Sequence, residues 1–394
     1  MKNKFRRVLA FLLCAACMGF VKISAYDSTK SALREDIQAA ASGAVLEISC
    51  ESACLMEAST GEILYEQNSD ERLEPASVTK IMSLLLITEA IDNGDIKLDD
   101  GVAGSAHAAS MGGSQIWLEV GETLSVNDKL KEIAVASAND TVAMAEQLAG
   151  SEETFVARMN ERAQQLGMEN THFSNCTGLP VENHYTTAHD IAIMTRELLK
   201  HEIIFDYTTI WTDTLRNGAM GLANTNKLIR FYNGANGMKT GFTSSALYCL
   251  SATAKRGDMQ LIATVMKGPT SDKRFQDAKK LLDYGFANFC LYTPEINIAK
   301  TLPVTCGTKQ SVKIKCENKP LLLPKGTEKN VESNAVIEEK LAAPVTKGQK
   351  VGHVSYSVGG KEIARIPVTA SGNVAKLSFS DILSRLIKES VSVR

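Results

Sequence analysis

The chain has 394 residues, 44% apolar and 22% charged, with 27 Gly and 9 Pro. This composition supplies a sizeable core and excludes disordered or collagen-like chains, and the length fits one large domain with appendages or two domains. Formal charge is −2, but five basic residues and no acid fall in the first 25, leaving a body of net −7 without the basic balance a nucleic-acid binder needs.

Residues 1–25 have the three parts of a secretory signal: a basic start (Lys2 to Arg7), an apolar run from Val8 to Val21, and the small-residue site Ile23-Ser24-Ala25. The run is too short to span a bilayer comfortably. No Leu-small-small triplet precedes Cys14 or Cys17, which argues against a lipidated cysteine. Export leaves seven cysteines, an odd number, so at least one stays unpaired within a monomer, and pairing of Cys306 with Cys316 is open. Cys50 and Cys54 lack a second Cys/His pair at zinc-site spacing.

Residues 54–65 read as two short strands around Ser59-Thr60-Gly61. Pro75 then precedes an apolar run from Ile81 to Ala90, the pattern of a buried helix. At its start, Ser77-Val78-Thr79-Lys80 sets a hydroxyl and an amine three residues apart, on one helical face. A Ser hydroxyl becomes a nucleophile only when a base takes its proton, and Lys is a base only when neutral. That requires lowering its pKa from ~10.4 toward ~7, about 4 kcal/mol, attainable by burial and a second cation.

Helical spacing continues through Asp128–Ala136, Thr141–Leu148, Glu153–Leu166 and Ala188–Leu199. Ser-x-Asn occurs at Ser125, Ser137 and Ser371. Ser125 reads as a helix N-cap and Ser371 lies in a later exit loop, so Ser137-Ala138-Asn139, between two apolar helices, is the candidate for a cleft. His184 and His189 do not share a helical face and read as surface or cap histidines. No Gly-x-Ser-x-Gly elbow is present, which weakens a Ser-His-Asp hydrolase.

Lys239-Thr240-Gly241 precedes the strand runs Tyr248–Ala254 and Met259–Met266, which a Lys255–Asp258 turn separates. On an edge strand, Gly241 would let a ligand backbone approach while Lys239 and Thr240 donate to it. Helices between early and late strands indicate an α+β layer rather than repeated βαβ units. Beyond Thr293-Pro294 the chain turns to short strands and turns, a separate small β domain. From Leu377 to Val391, apolar residues recur at helical spacing beside a basic polar side, which suits either a membrane-surface helix or a packed last helix.

Ser-x-x-Lys, Ser-x-Asn and Lys-Thr-Gly in this order mark the penicillin-recognising serine acyltransferases and hydrolases. With Met111-Gly112-Gly113-Ser114, His184-Tyr185-Thr186-Thr187-Ala188 and Gly237–Thr243, the chain resembles the low-molecular-mass D-alanyl-D-alanine carboxypeptidases, the serine peptidase family that includes penicillin-binding protein 5. The resemblance covers about residues 50–370. It implies a β-lactamase/transpeptidase-like domain with an antiparallel sheet over 26–292, an all-β domain over 293–372, and a terminal amphipathic helix over 373–394. It further implies Ser77 as nucleophile, Lys80 as general base and Ser137 as proton relay. Asn139, Lys239, Thr240 and Arg274 would bind substrate, the last through its terminal carboxylate. The N–H groups of Ser77 and Phe242 would form the oxyanion hole.

The implied substrate is a peptidoglycan stem pentapeptide, with β-lactams as mimics and no cofactor. The implied location is the outer leaflet of the cytoplasmic membrane, held by the last helix. Phe242 stands where some members have His, and Ala138 where Gly is frequent, a change expected to narrow the cleft. A class A β-lactamase shares the three motifs but needs a Glu-x-x-Leu-Asn loop, absent between Asn139 and Lys239. A non-catalytic wall-binding or β-lactam-sensing protein would not need all four of Ser77, Lys80, Ser137 and Lys239.

Overall fold

The computed structural model describes residues 46–391, so the export signal read at 1–25 lies outside the described residues. The chain divides into two compact units, with the passage between Phe289 and Cys290.

The first unit is built on a five-stranded antiparallel sheet. Its strands are β1 (Ser52–Glu57), β2 (Ile63–Gln67), β3 (Ala235–Thr243), β4 (Leu247–Arg256) and β5 (Met259–Gly268), in the spatial order β2-β1-β5-β4-β3. The first hairpin and the last three strands thus come from opposite ends of the unit's sequence, joined through the β1–β5 pairing. Strands β1, β4 and β5 are buried over most of their length because both faces of the sheet are covered, so strict alternation is lost. On one face Gly285 of the helix Ser271–Asn288 abuts Leu261; on the other, Thr264 Oγ1 donates to the carbonyl of Ala188 at 2.7 Å. The helix Ser271–Asn288 carries apolar residues at 275, 278, 281, 282 and 286 behind a Thr270 cap, a pattern the sequence reading passed over.

Between the strands lie α1 (Lys80–Asn93), α2 (Val126–Lys131), α3 (Thr141–Ala149), α4 (Glu152–Gln165) and α5 (Ala188–Leu198); Ser271–Asn288 is α6. Helix α1 has little amphipathic character, since nearly every side chain from Lys80 to Thr88 is buried in the large apolar cluster. Ser125 caps α2, its hydroxyl accepting the N–H of Asp128 at 3.1 Å.

The second unit is a six-stranded sheet formed by β6 (Thr301–Thr305), β7 (Ser311–Cys316), β8 (Val331–Ile337), β9 (Leu341–Ala342), β10 (Lys350–Val358) and β11 (Lys361–Ala370). Their order is β8-β10-β11-β7-β6-β9, antiparallel except for β6 with β9. Alternating Leu302, Val304, Val312 and Ile314 face one core with Val354, Tyr356, Ile366 and Val368. Helix α7 (Phe379–Val391) ends the described chain, with Phe379, Ile382, Leu383 and Ile387 exposed. None of the seven cysteines among the described residues forms a disulfide, Cys306 and Cys316 included.

Candidate active site

Ser77 does not lie in α1 itself. Residues Ala76–Thr79 form a 3₁₀ turn that runs into α1 at Lys80. With three residues per turn, positions i and i+3 eclipse, so the Ser77 and Lys80 side chains stand side by side more closely than an α-helix would set them. Lys80 Nζ is 2.9 Å from Ser77 Oγ, 2.7 Å from Asn139 Oδ1 and 2.9 Å from the carbonyl of Thr177. Lys80 is fully buried and Ser77 half-buried. Burial pulls the Lys80 ammonium down to about 7, against an opposing pull from Asp140. Burial alone does this; the second cation anticipated from sequence acts elsewhere, since repulsion from Lys80 and Arg274 adds to burial in holding Lys239 well below its usual value.

The Thr177 carbonyl is a partner that sequence reasoning missed. Asn175 Oδ1 accepts the N–H groups of Thr177 (3.1 Å) and Gly178 (2.7 Å), and Ser83 Oγ donates to the Cys176 carbonyl at 2.7 Å, which pins this loop to α1. Gly178 has φ +84°, and a Cβ there would lie 1.8 Å from the Ala76 carbonyl oxygen. Only glycine permits this close approach. The Asn-x-x-Gly turn composition was visible at Asn175–Gly178, but nothing local says which neighbour it meets.

Residues Glu132–Ala136 form a π-turn after α2, closed by Ser137 in the left-handed conformation (φ 64°, ψ 31°). This wide turn buries Ser137 and brings Asn139 to Lys80. The Asn139 amide nitrogen donates to the Gly112 carbonyl at 2.5 Å, and its backbone N–H to the Ser114 carbonyl at 2.8 Å. The Met111–Ser114 stretch therefore backs the Ser137–Asn139 turn. Ala138 does not narrow a cleft: its methyl is fully buried in the apolar core.

Strand β3 is an edge strand, paired on one side with β4. It carries Lys239, whose Nζ donates to the Thr240 carbonyl at 3.1 Å, and Thr240, whose hydroxyl donates to Thr225 Oγ1 at 2.7 Å. Thr225 in turn donates its N–H to the Val135 carbonyl, tying β3 to the π-turn. Gly241 has a packing role that the sequence did not show: a Cβ would come within 2.7 Å of the Pro75 carbonyl and 3.1 Å of the Ser77 nitrogen. The missing side chain makes room for the serine's own backbone. Phe242 is exposed, its ring 4.5 Å from that of Tyr248.

Arg274, from α6, is buried behind β3 and β4. Its Nη1 donates to the carbonyls of Gly241 (2.9 Å) and Cys249 (3.2 Å), and its guanidinium lies over the Tyr248 and Phe275 rings. One edge of the group is thus committed to the sheet. His184 is a buried structural residue rather than a surface or cap histidine. Its Nδ1 accepts the Ser174 N–H at 3.0 Å, so Nε2 carries the proton donated to Thr79 Oγ1 at 2.8 Å, and burial lowers it to about 4. Ser125 caps its helix, and Ser371 belongs to the second unit.

Comparison with known proteins shows the family. Residues 37–270 match the model of a family described as D-alanyl-D-alanine carboxypeptidase, and residues 294–376 that of the penicillin-binding protein 5 C-terminal domain. D-alanyl-D-alanine carboxypeptidase DacF of Bacillus subtilis is 45% identical, over 85% of this chain and 88% of its own. The crystal structure of penicillin-binding protein 5 from Haemophilus influenzae superposes with a TM-score of 0.77 at 32% identity, covering 84% of this chain and 99% of that one. Penicillin-binding protein D2 of Listeria monocytogenes, solved in an ampicillin-bound form, gives 0.57 at 32% identity, covering 62% of this chain and all of its own. With the family model spanning more than half of its length, the chain belongs to the D-alanyl-D-alanine carboxypeptidases.

Proposed function

We propose that Ser77 is the acyl-forming nucleophile of a serine-type carboxypeptidase that removes the last D-Ala from a peptidoglycan stem pentapeptide. The observation that carries this reading is the three-way contact of Lys80. A neutral amine has two N–H bonds and one lone pair. Asn139 Oδ1 and the Thr177 carbonyl can only accept, so they consume both N–H bonds and leave the lone pair for the Ser77 hydroxyl. In that state Ser77 donates to Lys80, the geometry of a nucleophile with its base.

Proton transfer to Lys80 accompanies bond formation between Ser77 Oγ and the penultimate D-Ala carbonyl carbon. The resulting oxyanion is taken up by the N–H groups of Ser77 and Phe242. The C–N bond then breaks, with the proton passed through Ser137 to the departing amine of the terminal D-Ala. Water hydrolyses the acyl-enzyme and returns Ser77. Strand β3, with Lys239 and Thr240, lies along the peptide as an added strand, and Asn139 and Arg274 complete the grip on its tail. The uncommitted edge of the Arg274 guanidinium suits a carboxylate.

β-Lactams would acylate the same serine; the solved relative in an ampicillin-bound form supports binding of this class. The exported chain would work on the wall-facing side of the cytoplasmic membrane, with the domain bounds 26–292 and 293–372 and α7 resting on the outer leaflet. Its exposed apolar residues support surface contact, and no helix among the described residues is long and apolar enough to cross a membrane.

The test is mass spectrometry after penicillin treatment together with D-Ala release from diacetyl-Lys-D-Ala-D-Ala. A single adduct on the Ser77 peptide is expected, with both adduct and release lost in Ser77→Ala at unchanged fold. Release retained in that variant, or sustained rapid nitrocefin turnover by the wild type, would overturn the assignment.

A further inference from the structure

Three ionisable side chains that this reaction does not use are buried together beneath the Ser137–Asn139 turn. Lys129 Nζ lies 2.8 Å from Glu132 Oε1 and 2.7 Å from Asp140 Oδ2, and none of the three side chains is more than 4% exposed. Two carboxylates against one ammonium would leave a net negative charge in the core, which is costly to bury. Among the described residues, Asp140 Oδ1 and both Glu132 carboxyl oxygens also lack a hydrogen-bond partner, the Lys129 ion pair aside. One proton removes both difficulties, turning Glu132 into a donor and Asp140 into its acceptor. Burial, opposed by Lys129 and reinforced by Asp140, raises the Glu132 carboxyl well above the usual range, the direction this arrangement requires.

The backbone connects this group to the turn. The Glu132 carbonyl accepts the N–H of Ser137, which closes the π-turn, and that of Ala138 at 3.2 Å. Asp140 directly follows Asn139, the residue bound to Lys80. The other charged groups facing the cluster are Arg216 and Glu122, paired with each other at 2.6 Å, and Lys80, which senses Asp140. Arg216 remains cationic, so its pair does not take up the charge of a second carboxylate.

We propose that Lys129, Glu132 and Asp140 form a buried proton-sharing clamp, with Glu132 protonated, that positions Ser137 and Asn139. The role in catalysis rests on the serine acyl-transfer reading above. Glu132 touches no reacting atom and is a positioning residue.

The test uses the full chain and the variants Glu132→Gln, an isostere of the protonated acid, and Glu132→Ala. Two quantities are followed against pH: the hydrogen-exchange protection of the Ser137 and Ala138 amides without ligand, and the acylation rate with a fluorescent penicillin. At neutral pH, Glu132→Gln should keep both, and Glu132→Ala should lose at least tenfold in each. At alkaline pH the wild type should lose protection as Glu132 ionises, while Glu132→Gln should not. Protection lost in Glu132→Gln at neutral pH, or an identical alkaline loss in both proteins, would overturn the clamp even if the alanine variant fails to fold. The expected exchange pattern in a wild-type protein that no penicillin acylates would instead leave the clamp standing and remove the acyl-transfer reading.

Discussion

On the proposed reading, Lys80 acquires its role as a base from its surroundings. In water its amine would be charged and useless as a base; full burial lowers it to about 7. The acylation rate should therefore rise with pH through about 7 as the ammonium is lost, and hold until alkaline pH ionises Glu132, in a pH-resolved measurement with a fluorescent penicillin. Stability follows the same sign. Between about 7 and ~10.4 the unfolded lysine holds a proton that the folded one has released, so this residue's contribution makes folding more favourable as pH rises there. Lys80→Arg keeps the charge but cannot deprotonate, and should slow acylation by ~10²–10⁴-fold in the same assay. A wild-type rate that is flat from pH 5 to 9 would show that this amine is not the base.

At the scale of elements, the site is set by short irregular pieces rather than by the long helices. The 3₁₀ turn Ala76–Thr79 aligns Ser77 with Lys80, the π-turn Glu132–Ala136 delivers Ser137 and Asn139, and the Asn175–Gly178 loop brings in a carbonyl. Gly178 is the tightest of these joints. Gly178→Ala must move either its own loop or the Ala76 carbonyl, and either shift separates Thr177 from Lys80. The expected cost is ~1–3 kcal/mol of stability, read as a lowered melting temperature, with acylation slowed at least tenfold. Wild-type acylation in this variant would mean that the Thr177 carbonyl does not orient the amine.

For the molecule as a whole, the catalytic motifs belong to one unit and the exposed apolar helix to the other. If α7 docks on a bilayer, a chain ending at residue 378 should stay in the supernatant when sedimented with anionic phospholipid vesicles, while the full-length mature chain pellets. Equal acylation of both forms would separate anchoring from chemistry, and equal pelleting would sink the anchoring proposal. The sequence by itself determined the mixed α+β architecture, most helices and strands, and the residues of the three motifs, because apolar periodicity and residue chemistry are local properties. It missed α6 although the helical spacing at 275–286 was present, misread His184 and Ala138, and did not show what Gly241 packs against. Those three depend on what packs against them in the folded chain: a serine backbone amide from a loop ten residues away, the apolar core, and the turn that carries Ser77. Only the tertiary structure could show the Thr177 carbonyl, the source of the Lys80 shift and the buried Lys129–Glu132–Asp140 cluster, because desolvation and hydrogen-bond partnership arise only when segments remote in sequence exclude water together.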